Sequence, residues 1–176
     1  MVSRSESGGA DVGGCAAVVV AAGRGQRFGG DGPKQYHPLA GVPLLRHTLR
    51  AFLEHPAVDR VLTVIHADDR DSYDDAIATL DPAKLLAPVV GGAQRQDSVR
   101  NGLEALASAT PDIVLIHDGA RPMVTAGTIS AVIDGLATAD GALPCLPVVD
   151  TLKRIGPDGV IGATVSREGF ARASCP

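Results

Sequence analysis

Short aliphatic runs alternate along this chain with longer stretches of helical spacing. Ala16-Ala17-Val18-Val19-Val20-Ala21 is a β-branched run that stops at glycines, which predicts a buried strand. Gly23 to Pro38 reads as a loop. Leu44, Leu45, Thr48, Leu49 and Phe52 recur at helical intervals behind Pro43, a residue suited to a helix's first turn. Val58 to Ile65 predicts a second strand, Asp68 to Leu80 a helix, and Leu86 to Val90 a third strand ending at Gly91-Gly92. Gln94 to Ala107 reads as a helix with Val99, Leu103 and Leu106 on one face. Ile113 to Ile116 predicts a fourth strand that stops at His117-Asp118. Ile129, Val132, Ile133 and Leu136 form the stripe of a helix packed on a sheet. Ala142 to Val149 is expected as a fifth strand, interrupted by Pro144 and Pro147. Thr151 to Ile155 and Val160 to Val165, joined by Gly156-Pro157-Asp158-Gly159, read as a β-hairpin.

Strands alternating with helices predict an α/β fold, a mostly parallel sheet with helices on both faces. Ligands in such sheets gather beyond the carboxyl ends of the strands. Three stretches lie there: Ala22 to Lys34, Gly91 to Ser98, and His117 to Arg121. The hairpin stands apart from this pattern. A lone hairpin is marginally stable, so it is expected to pack on something else, such as a second subunit.

Composition narrows the picture. The 176 residues suit one domain or slightly more, and 45% hydrophobic against 20% charged content is that of a globular chain. Aromatics are 3% and Trp is absent, so the core must be aliphatic. The net charge of −4 argues against a general nucleic-acid or anionic-membrane binder, and any anion site must be local. No apolar run reaches the roughly 18 residues of a membrane span. Cys15, Cys145 and Cys175 form no CxxC and suit a reduced, cytoplasmic setting. Residues 1–14 are rich in Ser and Gly and read as a mobile tail; Arg4, Glu6 and Asp11 in it leave no hydrophobic region for an export signal.

The segment from Ala21 to Gly29 follows a strand directly. Its glycines let backbone N–H groups approach phosphate oxygens, with Arg27 and Lys34 adding positive charge. The alternative is a glycine turn with two solvated cations. Gly32-Pro33-Lys34-Gln35 lacks the neighbours of a P-loop, and the glycine spacing misses a dinucleotide fingerprint. Asp118 at a strand end suits Mg²⁺ held against substrate phosphates, or equally a cap for the following turn. His117 reads as structural. Gly91 to Ser98 could seat a base or phosphate, or simply start a helix. The acidic run Asp68, Asp69, Asp71, Asp74, Asp75 lacks a calcium loop's glycine and suits a helix start and a solvated face. Spacing and chemistry by themselves support a phosphate-handling α/β enzyme.

Taken together, six motifs resemble the 2-C-methyl-D-erythritol 4-phosphate cytidylyltransferase family. They are Ala21-Ala22-Gly23-x-Gly25-x-Arg27, Pro33-Lys34-Gln35-Tyr36, Gly91-Gly92-x-x-Arg95-x-Asp97-Ser98-Val99, His117-Asp118-x-Ala120-Arg121-Pro122, Asp150-Thr151-x-Lys153 and Thr164-Val165-x-Arg167. The resemblance implies a Rossmann-like fold of nucleotidyltransferase type with a protruding hairpin arm at about residues 150–167. It implies a homodimer that joins CTP to methylerythritol phosphate with Mg²⁺, releasing pyrophosphate, in non-mevalonate isoprenoid synthesis. Arg27, Lys34 and Arg167 would be catalytic. Ala21, Ala22, Gly23, Gly25, Gly92, Ser98 and Gly119 would bind the nucleotide, and Asp118 the metal. Thr151, Arg167 and Arg121 would bind methylerythritol phosphate, the first two from an arm reaching into the partner subunit.

The likeness covers about Ala16 to Arg167. Beyond Gly169-Phe170 the family continues with further strands and helices, whereas residues 171–176 diverge. The expectation is therefore a nucleotidyltransferase domain over 15–170 with an incomplete substrate half. The family's second metal-binding Asp and late substrate Lys have no counterpart. The competing readings are a related nucleotidyltransferase with another base or acceptor, and an inactive nucleotide-binding module.

Overall fold

The protein, seen here in a computed structural model, is described over residues 14–24 and 32–173. Residues 1–13 of the expected 1–14 tail, Gly25, Arg27 and Cys175 lie outside the described residues. The chain divides into two compact units at Ser130 and Ala131. The elements run β1 (Cys15–Ala21), β2 (Pro38–Leu39), β3 (Val42–Pro43), α1 (Leu44–Leu53), β4 (Arg60–Ile65), α2 (Arg70–Ile77) and β5 (Val89–Val90). Then come α3 (Arg95–Leu106), β6 (Ile113–Asp118), α4 (Ala126–Gly135), β7 (Cys145–Pro147), β8 (Leu152–Ile155), β9 (Ile161–Val165) and β10 (Ala171–Ala173).

The aliphatic run of β1 is the middle of a parallel sheet ordered β5-β4-β1-β6. Residues 16–19 are at most 1% exposed, because a central parallel strand is covered on both faces. Val18 is in register with Leu62 of β4 and with Ile116 of β6. From β1 the chain steps outward through β4 and β5, then returns to place β6 on the other side of β1. That reversal makes the carboxyl ends of β1 and β6 a topological switch point, where such sheets bind ligands.

Helices cover both faces. Ala16, Val18, Leu62 and Val64 pack against Leu106 of α3. His117 alternates with Ile116 and so points to the opposite face, where Phe52 of α1 meets it at 5.1 Å between ring centroids. On that second face α1 buries Leu45, Thr48, Leu49 and Phe52, the residues its periodicity predicts. Helix α3 departs from expectation. Its buried residues are Ser98, Gly102 and Leu106, while Leu103 is 39% exposed. A Cβ on Gly102 would stand 2.6 Å from Cγ1 of Val18, so the helix approaches the sheet through its small residues, not through a leucine ridge.

Other differences are local. The third strand is only Val89–Val90, joined by a single bridge from Leu85 to Val61. The helix expected over 68–80 is a 3₁₀ turn, Ala67–Asp69, followed by α2. The β2–β3 hairpin begins where the Gly23 to Pro38 loop ends, in a stretch where the sequence pattern predicts no element. Its turn is Ala40-Gly41 with φ of 51° and 78°, the left-handed pair of a tight hairpin turn. In α4 only Ile129 is buried; Val132, Ile133 and Leu136 are half-buried.

In the second unit, β7 pairs antiparallel with β10 and adds nothing to the parallel sheet, which corrects the expected fifth strand. Pro144 and Pro147 lack the N–H groups that an interior strand donates. The predicted hairpin forms from β8 and β9, with Leu152 opposite Val165 and Lys153 opposite Thr164. Gly159 closes its turn at φ 77°. Among the described residues, no helix is long and apolar enough to cross a membrane.

Candidate active site

A cavity of about 980 Å³ opens beyond the carboxyl ends of the parallel strands, lined by first-unit residues. It brings together Ala21, Ala22 and Gly23 after β1, Lys34, Gly92 and Ser98 around the start of α3, and Asp118 and Arg121 after β6. These came from three separate stretches of sequence. Four cationic side chains, Arg24, Lys34, Arg95 and Arg121, stand in the walls against one carboxylate, Asp118. In a chain of net charge −4, that is a local concentration of cations, although Arg24, Arg95 and Arg121 each pair with a carboxylate.

Each wall has a local cause. Gln35, 4% exposed in the 3₁₀ turn Lys34–Tyr36, donates its amide to the carbonyls of Ala21 and Gly23. It thereby fixes the turn after β1 and seats Lys34 beside it. At the second wall, a Cβ on Gly91 would lie 2.5 Å from that of Ala22, so only glycine lets this turn close on β1. A capping box starts α3: the Gln94 side chain accepts from the Asp97 N–H, and the Gln94 N–H donates to Asp97 Oδ2 at 3.1 Å. Ser98 Oγ accepts the Gly92 N–H at 3.1 Å and donates to the Gln94 carbonyl at 3.2 Å. Its hydroxyl therefore shapes the turn that faces the cavity.

Asp118 is gripped by two guanidinium groups. Arg95 donates Nε and Nη2 to Oδ1 at 2.9 and 2.8 Å, and Arg121 donates Nε to Oδ2 at 3.0 Å. Burial acts to raise the carboxyl's pKa, but the hydrogen bonds and charges of Arg95 and Arg121 outweigh it and hold the pKa below the usual range. Asp118 is thus a carboxylate, as a metal ligand must be. Three N–H donors leave lone-pair capacity on its oxygens, so one Mg²⁺ bound mainly by water and phosphate oxygens fits beside it. Among the described residues there is no group of three or more His, Cys, Asp or Glu side chains that could hold a metal.

His117 is structural, as the sequence suggests. Burial lowers its pKa, and its Nε2 bonds the Arg121 carbonyl at 2.9 Å, bracing the turn that carries Asp118 and Arg121. Gly119 lies beneath the wall. Its N–H donates to the Val20 carbonyl at 2.8 Å, and its own carbonyl accepts from Thr48 Oγ1 at 2.9 Å. Thr151 and Arg167 belong to the second unit, where Arg167 donates to the Val149 carbonyl.

Residue type and spacing had given Arg24, Gln35 and Arg95 no role of their own. Their partners sit 12 to 45 residues away, so only the fold reveals them. The acidic run is also corrected in part: Asp69 is 4% exposed and, with Asp68, pairs with Arg24 at the cavity wall.

The sequence profile "IspD: 2-C-methyl-D-erythritol 4-phosphate cytidylyltransferase" matches residues 15–176. A "Bifunctional enzyme IspD/IspF" of Paramagnetospirillum magneticum is 58% identical over 159 residues, which is 90% of this chain and 40% of the relative. The chain thus spans about two fifths of the length of that relative. A "2-C-methyl-D-erythritol 4-phosphate cytidylyltransferase" of Cereibacter sphaeroides is 52% identical over 161 residues, 92% of this chain and 70% of the relative. Among solved structures, a 4-diphosphocytidyl-2C-methyl-D-erythritol synthase from Anaerococcus prevotii superposes with a TM-score of 0.76 at 27% identity, covering 92% of this chain and 67% of the other. By its match to the family model and its identity to the curated relatives, the chain belongs to the 2-C-methyl-D-erythritol 4-phosphate cytidylyltransferase (IspD) family.

Proposed function

We propose that the protein transfers a cytidylyl group from CTP to 2-C-methyl-D-erythritol 4-phosphate, releasing pyrophosphate, in the non-mevalonate route to isoprenoid precursors. The observation that carries this reading is the meeting of three motif stretches in one positively lined cavity at the sheet's switch point. A phosphate oxygen of the acceptor attacks the α-phosphorus in line. The bond from that phosphorus to the bridging oxygen breaks, and its electrons leave on pyrophosphate.

Charge builds on the phosphoryl oxygens and the leaving group, so fixed cations and positioning supply most of the rate. Lys34, with Arg27, serves that purpose. Ala21, Ala22, Gly23 and Gly25 cradle the nucleotide, the Gly92–Ser98 turn reads the base, and Arg121 steadies the acceptor. Asp118 would hold Mg²⁺, which when bound would offset the charge of the triphosphate. The working form is a cytoplasmic homodimer in which the hairpin brings Thr151 and Arg167 to the partner's acceptor site. Exposure of Ile155, Val160 and Ile161 on that hairpin, at 62–67%, supports a covered role for it.

The test is pyrophosphate release by the purified chain with Mg²⁺, CTP and methylerythritol phosphate, omitting each in turn. Release that needs all three supports the reading. A folded chain that neither releases pyrophosphate nor prefers CTP to GTP overturns it. Sedimentation as a monomer would remove the dimer from the reading.

A further inference from the structure

The turn after β1 is braced from two sides. Gln35 holds the carbonyls of Ala21 and Gly23 from one side. On the other stands Arg24, a cation in the cavity wall, where a nucleotide's phosphates would be one conceivable partner. Its guanidinium is engaged elsewhere. Nη1 donates to Asp69 Oδ1 at 3.0 Å, and Nη2 donates to Asp68 Oδ2 at 2.6 Å and to His66 Nδ1 at 2.5 Å. Two carboxylates more than neutralise one guanidinium, so this cluster offers an anion no net attraction.

Both acids stand in the loop between β4 and α2, where the Asp68 N–H donates to His66 Nδ1 and the 3₁₀ turn holds the Asp69 backbone. Asp69 is the buried member, its side chain 5% exposed, and its Oδ2 has no hydrogen-bond partner. A buried carboxylate with one oxygen unsatisfied depends heavily on its remaining partner, here Arg24. Charge on the cluster also reaches Tyr36: beyond burial, Asp69 raises the phenol's pKa and Arg24 opposes it. The pairing therefore links three segments of chain.

We propose that Arg24 is a positioning residue, which ties the first turn of the glycine loop to the β4–α2 loop through Asp69 and Asp68 instead of binding phosphate itself. The backbone of residues 21–24 is thereby held ready for the nucleotide. This nucleotide role rests on the function proposed above; the tether itself does not. The two roles for Arg24 predict opposite signs for one substitution. If Arg24 bound phosphate, Asp69→Asn would free its charge and tighten CTP. If it is a tether, Asp69→Asn loosens the loop and weakens CTP as Arg24→Gln does.

The experiment compares Arg24→Gln, Asp69→Asn and their double variant in the full chain. Amide hydrogen exchange of the peptide over residues 15–24 is read without ligand, and Mg-CTP affinity by calorimetry. Each single change is expected to speed exchange in that peptide and weaken CTP about tenfold, roughly the loss of one charge-assisted bond. The double variant should be no worse than the weaker single, because both remove one interaction. Arg24→Lys should recover only part, since an ammonium does not fork between two carboxylates. Unchanged exchange in both singles overturns the tether, and so does tighter CTP binding by Asp69→Asn. Asp68→Asn, at a site 75% exposed, supplies the same cycle if Asp69→Asn melts early. A wild-type chain that ignores CTP counts against the proposed function, while the exchange data still decide the tether.

Discussion

Asp118 shows how much of the site's chemistry hangs on one side chain. Its carboxylate stands among cationic side chains of the cavity wall, and N–H donors of Arg95 and Arg121 converge on it. Asp118→Asn keeps the shape but turns an NH₂ group toward a guanidinium and removes the charge that the proposed function assigns to holding Mg²⁺. Turnover should fall by about 100-fold or more, the scale of losing a preorganised electrostatic partner. Binding of CTP in the presence of a chelator should not weaken, because the wall has gained positive charge. Steady-state rates and metal-free calorimetry check both halves, and equal loss in both would contradict the division of roles. Asp118 was singled out in the sequence because it ends a strand, Lys34 as a cation of the glycine-rich loop, and Ser98 within the Gly91 to Ser98 helix entry. Gln35 and Arg95 were not, since what they do is set by acceptors on other elements: the Ala21 carbonyl and Asp118.

At the scale of elements, the same chemical change is expected to act with opposite sign in two helices. Gly102→Ala in α3 gains up to about 1 kcal/mol of helix propensity. It also places a Cβ 2.6 Å from Val18 and 3.1 Å from Val64, both fully buried, and such overpacking costs about 1–3 kcal/mol. The net effect should be a loss of about 1–2 kcal/mol. Gly127→Ala in α4 meets nothing nearer than 3.9 Å, so it should be neutral or stabilising by a few tenths of a kcal/mol. Urea midpoints of the two variants separate the cases, and a stabilised Gly102→Ala would mean the helix stands off the sheet. The pair also explains why the buried face of α3 was misread. Hydrophobic periodicity weighs Val99 and Leu103, but close approach to a β-branched strand selects Ser98 and Gly102 for size. β1, β4 and α1 were legible because pattern and burial agree in them, and the β8–β9 hairpin because its Gly156-Pro157-Asp158-Gly159 turn marks it with little burial. β7 was not, because a proline-broken apolar run fits a sheet interior or a short antiparallel pair equally well before its partner is known.

For the whole molecule, the parallel order and the reversal around β1 put the ligand site where the charge argument needed it, although the chain is net acidic. The same folding places both of its tyrosines under cover, and with no Trp present they give a clean optical signal. Tyr73 is fully buried, and the Tyr36 hydroxyl is buried without a hydrogen-bond partner. Burial raises the pKa of both phenols, and it raises the Cys15 thiol too, with Asp59 adding to that effect. A raised pKa means that the folded state keeps protons which the unfolded chain releases above about 8.5 for Cys and about 10 for Tyr. The stability these groups contribute is therefore full below those values and declines as pH rises past them. The melting temperature should hold steady through about pH 8 and fall progressively above about pH 9. Tyrosinate absorbance should stay absent near pH 10 and then appear for both rings in one step, together with the loss of helical circular dichroism. Tyr36→Phe should soften the alkaline fall in melting temperature by deleting one of the linked protons. Smooth tyrosinate growth centred near pH 10 with helicity intact would show that the phenols are open to water, and would remove the buried cluster beneath the glycine turn along with them.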